Sequence, residues 1–138
     1  MRDLQSWLDE YAQSHQNQTN KKIHYICVPV IMFSLLGILW SISAWLLGLI
    51  VVISMIFYIK LSLKLSIYML VITLIMIGIL ALLPYMLTIC IVLFIISWIF
   101  QFIGHQIEGK KPSFLKDLQF LLVGPLWILS RAIDAKLN

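Results

Sequence analysis

Residues 65–107 read LSIYMLVITLIMIGILALLPYMLTICIVLFIISWIFQFIGHQI, 43 residues without a charged side chain. A helix rises about 1.5 Å per residue and needs roughly 20 residues to cross a hydrocarbon core. The stretch is therefore too long for one span and right for a hairpin of two. Leu83-Pro84-Tyr85 marks its middle, with a proline suited to starting a helix and a tyrosine suited to a membrane interface. The preceding stretch, 23–59, is 37 residues long and likewise uncharged. It breaks at Trp40-Ser41-Ile42-Ser43-Ala44-Trp45, two serines bracketed by tryptophans. The reading is an all-α integral membrane protein with four transmembrane helices in two hairpins, at about 23–40, 44–60, 65–83 and 85–104.

Composition agrees. Of 138 residues 62% are hydrophobic and 12% charged, where a soluble domain carries roughly a quarter charged residues. Mean hydropathy is +0.99. The length allows a single membrane domain over 1–138, with no glycine-rich nucleotide loop. The polar, acidic start MRDLQSWLDEYAQSHQNQTNKK lacks the basic region and immediate apolar core of a signal peptide. The net charge of +4 does not indicate nucleic acid, because the lysines lie between apolar segments rather than in a patch. Cys27 and Cys90 fall inside apolar runs without paired spacing and read as small buried hydrophobes.

The basic residues set an orientation. Arg2, Lys21 and Lys22 precede the first span, Lys60 and Lys64 link the second to the third, and Lys110, Lys111 and Lys116 follow the fourth. The two opposite loops carry none, so the positive-inside rule places both termini in the cytoplasm. The C-terminal DAKLN has no lysine-based retrieval signal, which favours a bacterial inner membrane over the endoplasmic reticulum. Oligomeric state is left open.

Two segments flank the spans. In residues 1–14, Leu4, Trp7, Leu8 and Tyr11 recur at helical spacing with the acids elsewhere, which predicts an amphipathic helix. Residues 114–137 have an apolar middle of about a dozen residues, broken by Gly124-Pro125; that is short for a span and suits an interfacial or re-entrant helix.

The polar residues within this apolar chain call for partners, since ionisable groups near lipid are costly and usually face the protein interior. The chain has three histidines, and the topology brings all of them to the cytoplasmic edge. His15 ends the amphipathic helix, His24 opens the first span and His105 closes the fourth. His15 and His24 would lie on opposite faces of one continuous helix, but the intervening Gln-Asn-Gln-Thr-Asn favours a turn and a helix cap. A second helix starting near Thr19 or Asn20 then puts Asn20 and His24 on one face. Ser97, Gln101, His105 and Glu108 form a polar stripe along the end of the fourth span. Glu108, one turn beyond His105, is placed to ligate the same metal or to orient a ligating imidazole. Gly109 and Pro112 end that helix.

A lone interfacial histidine is usually an amphipathic residue at the headgroup level. Gln101 alone reads more readily as interhelical glue, and Lys110 and Lys111 as topology determinants or headgroup contacts. Three histidines, a carboxylate and two amides at one edge weigh toward a site. Imidazoles with a carboxylate and no thiolate suit Fe(II), Zn or Mn. Two histidines and a carboxylate match non-haem iron oxygenases, whereas three histidines on zinc suit a hydrolase; spacing does not choose.

His15-x4-Asn20-x3-His24-x4-Pro29, followed by Gln101-Phe-Ile-Gly-His105-x2-Glu108-Gly-Lys-Lys-Pro112 and Leu122-Val-Gly-Pro125, resembles the 2-hydroxy fatty acid dioxygenase family. The resemblance runs from Trp7 to about Ile133. It implies an Fe(II)-dependent membrane enzyme that uses O2 to shorten a long-chain 2-hydroxy fatty acid by one carbon, an alpha-oxidation. The family's histidines match His15, His24 and His105, with Glu108 as a further candidate ligand. Asn20, Gln101, Lys110 and Lys111 are candidates for substrate contact or ligand orientation, with the substrate's hydroxyl and carboxylate expected to chelate the iron. The chemistry balances without a reductase, because cleavage to the shorter acid and CO2 releases four electrons and O2 accepts four. The alternatives are a zinc-dependent lipid hydrolase and a non-enzymatic haem- or quinone-binding subunit.

Overall fold

The computed structural model describes residues 3–13, 15–109 and 114–137, the last stretch by its backbone alone outside 121–133. The elements are α1 (Leu4–Gln13), α2 (Gln18–Ile42), α3 (Ala44–Leu61), α4 (Leu63–Ala81), α5 (Met86–Glu108) and α6 (Phe114–Leu137). Among the described residues there is no strand. α2, α3, α4 and α5 are long and apolar enough to cross a membrane, while the apolar part of α6, Leu121–Ile133, is shorter. The all-α class, the four spans and the two flanking helices are thus those the sequence predicts.

The connections follow from single residues. Ser43 alone separates α2 from α3; it is extended (φ −167°, ψ 133°), and its hydroxyl accepts the Leu46 N–H at 3.4 Å. Ser62 does the same between α3 and α4, accepting from Leu65 N at 3.3 Å. Both are serine N-caps, which absorb an orphan donor of the following helix. Pro84 was expected to start a helix, but α5 begins two residues later, at Met86. Tyr85 explains the delay, because its φ of 52° is left-handed and incompatible with the first turn of a right-handed helix.

Two boundaries differ in ways that matter for function. α2 starts at Gln18, ahead of the apolar run at 23 and close to the start near Thr19 or Asn20 that the turn predicts, so Asn20 and His24 both belong to it. α5 runs to Glu108 rather than 104, carrying His105 and Glu108 on one continuous helix that Gly109 (φ 78°) then ends. Gly124-Pro125 does not break α6, although the proline leaves the carbonyl one turn earlier without its usual donor.

The chain forms two compact units, one of Met1–Pro29 with Ile96–Asn138, the other of Val30–Ile95. The second is held by a core of Leu36, Leu47, Leu80 and Cys90, and within it α3 packs on α4. Gly37 lets α2 approach α5 and α4 in this core, since a Cβ there would overlap Cys90 Sγ and lie 3.0 Å from Leu80 Cδ2. Outward-facing apolar residues such as Ile53, Ile67, Leu74 and Ile95 stay exposed, as a lipid-facing surface requires.

The first unit holds all the histidines. In α1, Asp3 caps the helix by accepting Ser6 N–H at 2.8 Å. Leu4, Trp7 and Leu8 are half-buried and Tyr11 is buried, whereas Asp3, Gln5, Ser6 and Asp9 are exposed. That is the predicted amphipathic face, and α6 packs against α1.

Candidate functional site

Four segments of the first unit contribute. The bend between α1 and α2 is built as the local sequence suggests: Asn17 caps α2, its side-chain oxygen accepting Thr19 N–H at 2.9 Å and Asn20 N–H at 3.2 Å. Asn20, His24, Cys27, Ile31 and Ser34 then recur at alternating steps of four and three and are all buried, which makes one helical face. On α5, Ser97, Gln101 and His105 are buried, so the polar stripe read from the sequence faces inward.

The three histidines meet. His15 and His24 are each 2% exposed and His105 is 8% exposed. The His15 and His24 rings stand edge to face with centroids 4.1 Å apart, and His24 and His105 do the same at 5.9 Å. Gly104 permits this approach, because a Cβ there would overlap Asn20 Oδ1 and lie 3.3 Å from His24 Cε1.

Hydrogen bonds orient two of the rings. His15 Nδ1 lies 2.6 Å from the Tyr11 carbonyl, one of the carbonyls that the end of α1 leaves without a helical donor. His24 Nδ1 lies 3.0 Å from the Asn20 carbonyl. A carbonyl only accepts, so Nδ1 is the donor in each case, and in the neutral ring the lone pair sits on Nε2. A metal-binding imidazole is usually held this way, with one nitrogen donating to the protein and the other left to ligate.

Glu108 does not join this row of rings. Its carboxylate accepts the Gln16 N–H and the Asn17 N–H, the latter at 2.9 Å through Oε2 and 3.2 Å through Oε1. Among the described residues, no three His, Cys, Asp or Glu side chains already converge closely enough to hold a metal ion. The donor chemistry nonetheless fits a borderline divalent metal: three buried imidazoles, two of them oriented through Nδ1 by backbone carbonyls. Lys110 and Lys111 lie outside the described residues.

Aromatic residues extend the row. The Tyr11 ring stacks on His15 at 4.0 Å with an interplanar angle of 6°. Trp127 of α6, 2% exposed, lies 5.1 Å from Tyr11 and 5.7 Å from His15. Tyr25 stacks on Trp127 at 5.6 Å, and Arg131 places its guanidinium carbon 5.0 Å from the same indole. α6 fits tightly here, since a Cβ on Gly124 would lie 3.1 Å from Val28 Cγ1 and 3.2 Å from the Tyr11 hydroxyl.

The sequence reading missed Tyr11, Trp127, Arg131 and Gly104 as contributors. Tyr11 counted only as part of an apolar stripe, and Trp127 only as one residue of the apolar middle of 114–137. Gly104 had a signal, a glycine immediately before the only histidine of its helix.

The model of the family described as 2-hydroxy-palmitic acid dioxygenase Mpo1-like matches residues 1–60 and 62–135, which include all three histidines, Asn20, Gly104, Glu108 and Trp127. The chain belongs to the Mpo1-like family. The Saccharomyces cerevisiae protein named 2-hydroxy-palmitic acid dioxygenase MPO1 is 34% identical over 137 residues, covering 92% of this chain and 78% of its own length. No solved structure matches the chain. The Mpo1-like match covers both flanking helices as well as the four spans, and these flanks supply His15 and Trp127.

Proposed function

We propose that this protein is a membrane-embedded, Fe(II)-dependent dioxygenase that converts a long-chain 2-hydroxy fatty acid and O2 to the one-carbon-shorter fatty acid, CO2 and water. The observation that supports it most is the meeting of His15, His24 and His105 in one buried row, two of the rings oriented through Nδ1. The substrate class comes from the relative's name.

His15, His24 and His105 would hold the iron. Bound there, iron supplies the redox chemistry that lets O2 take four electrons from the hydroxy acid. The chain's own residues do the rest. The Tyr11 and Asn20 carbonyls hold two rings in the tautomer that keeps a lone pair at Nε2. Tyr11 and Trp127 pack over His15 and limit water at the reacting centre. The acyl chain stays with the lipid-facing surface, so the carboxyl end alone has to reach the polar row. Lys110 and Lys111 follow α5 in sequence and offer cations for the substrate carboxylate. Lysines flank one set of helix ends only, which supports both termini in the cytoplasm and the histidine row at that face.

The test is conversion of 2-hydroxypalmitate labelled with 13C at the carboxyl carbon by detergent-purified protein. Labelled CO2 and unlabelled pentadecanoate, lost on removing metal with a chelator and restored by Fe(II), support the reading. Release of an acid from an ester or amide without O2, restored by Zn(II), replaces it with the hydrolase.

A further inference from the structure

Glu108 stands one turn beyond His105 on α5, yet its carboxylate turns to the bend between α1 and α2. Its partners are the backbone N–H groups of Gln16 and Asn17. Gln16 directly follows His15, and Asn17 is the residue whose side chain caps the helix carrying His24. One carboxylate therefore ties the ends of three histidine-bearing segments together across 91 and 92 residues of chain.

The bond types make the choice physical. The N–H groups of Gln16 and Asn17 precede the first turn of α2, where amide donors lack helical partners and the helix end favours negative charge. A carboxylate accepting from both is well satisfied there, and hydrogen bonds to an ionised acceptor are the stronger kind. Moving Glu108 onto a metal beside the histidines would give up all of those bonds. The bend would then keep its local bonds, the Asn17 cap and the His15 contacts to the Tyr11 and Ala12 carbonyls, but lose these bonds to the end of α5.

We infer that Glu108 is a positioning residue that locks the α1–α2 bend to the end of α5 and so sets His15 and His24 against His105, rather than being itself a metal ligand. This rests on the proposed metal site for its catalytic meaning, but the clamp is a property of the protein without metal. The bends and caps are local and would form without Glu108; the carboxylate fixes where they lie relative to His105.

Glu108→Gln keeps an acceptor oxygen for the two amides but is a poor metal ligand, whereas Glu108→Ala removes both functions. Three readouts separate the roles: amide hydrogen exchange at Gln16 and Asn17 in metal-free protein, Co(II) affinity, and the Co(II) absorption spectrum. The clamp predicts at least tenfold faster exchange at both amides in Glu108→Ala and a much smaller change in Glu108→Gln. It predicts Co(II) affinity down on the order of 10–100-fold in Glu108→Ala, the usual cost of losing an orienting partner. Glu108→Gln should bind Co(II) within about threefold of the native protein, well short of that loss, with an unchanged spectrum. Loss of Co(II) from Glu108→Gln equal to that from Glu108→Ala, or a shifted Co(II) spectrum in Glu108→Gln, overturns the inference in favour of ligation. Unchanged exchange at Gln16 and Asn17 in Glu108→Ala overturns it outright. If the native protein binds no Co(II), the metal reading fails and the exchange result still decides the clamp.

Discussion

His15 and His24 stand edge to face with ring centroids 4.1 Å apart, although nine residues and a change of helix separate them. The bend at 15–17 brings them together. Two residues after His15, Asn17 caps the helix that carries His24, so one local bend accounts for the pairing. The row continues to His105 from the far end of the chain and to Tyr11 from α1.

Replacing any one of His15, His24 or His105 with alanine should remove metal retention and turnover together. The check is metal content by mass spectrometry on protein that stays monodisperse in detergent, alongside product formation. Full activity in any one variant removes that residue from the site.

Gly104→Ala should damage the site without touching a donor atom. The new Cβ would overlap the fully buried Asn20 Oδ1 and press on His24. Glycine to alanine inside a helix normally gains up to about 1 kcal/mol, but overpacking a closed interior costs about 1–3 kcal/mol. The clash should win, separating α5 from α2 at this level and cutting Fe(II) affinity at least tenfold. Adding Asn20→Ala should recover thermal stability, because it removes the atom that the new Cβ meets.

Gly37→Ala tests the other unit in the same way. There the obstacle is Cys90 Sγ, with Leu80 close behind, and the expected cost is again about 1–3 kcal/mol. A lower thermal midpoint with metal bound per folded chain unchanged is the expected result. Cys90→Ala in that background should restore the midpoint.

Tyr11→Phe keeps the ring that stacks on His15 and should retain metal, while Tyr11→Ala should not. Removing a buried aromatic ring costs about 3–5 kcal/mol, and here it opens the space between His15, Trp127 and Gly124. Iron content and detergent-state thermal stability of the two variants check this, and equal loss in both would make the phenol hydroxyl the important group.

Much of this was legible in the sequence for a plain reason. Charge-free runs of 37 and 43 residues have few physical fates, and serine or proline in their middles marks the turns. The helix ends were less legible, since a left-handed Tyr85 leaves no compositional trace and a proline can sit inside a packed helix, as Pro125 does. The histidines stood out as rare ionisable residues at span ends. Tyr11 and Trp127 did not, because an aromatic residue in an apolar helix has the same spelling whether it faces lipid or a histidine. The partner of Glu108 was illegible altogether: backbone amides carry no sequence signal, and only the fold shows that those of Gln16 and Asn17 meet its carboxylate.

O2 uptake by anaerobically purified protein, titrated with Fe(II) and then given 2-hydroxypalmitate, decides whether the histidine row is an iron dioxygenase site. Uptake should saturate near one iron per chain, about one ion for the three imidazoles, with one O2 consumed for each hydroxy acid lost. Tightly bound zinc, or turnover without O2 uptake, would contradict that assignment.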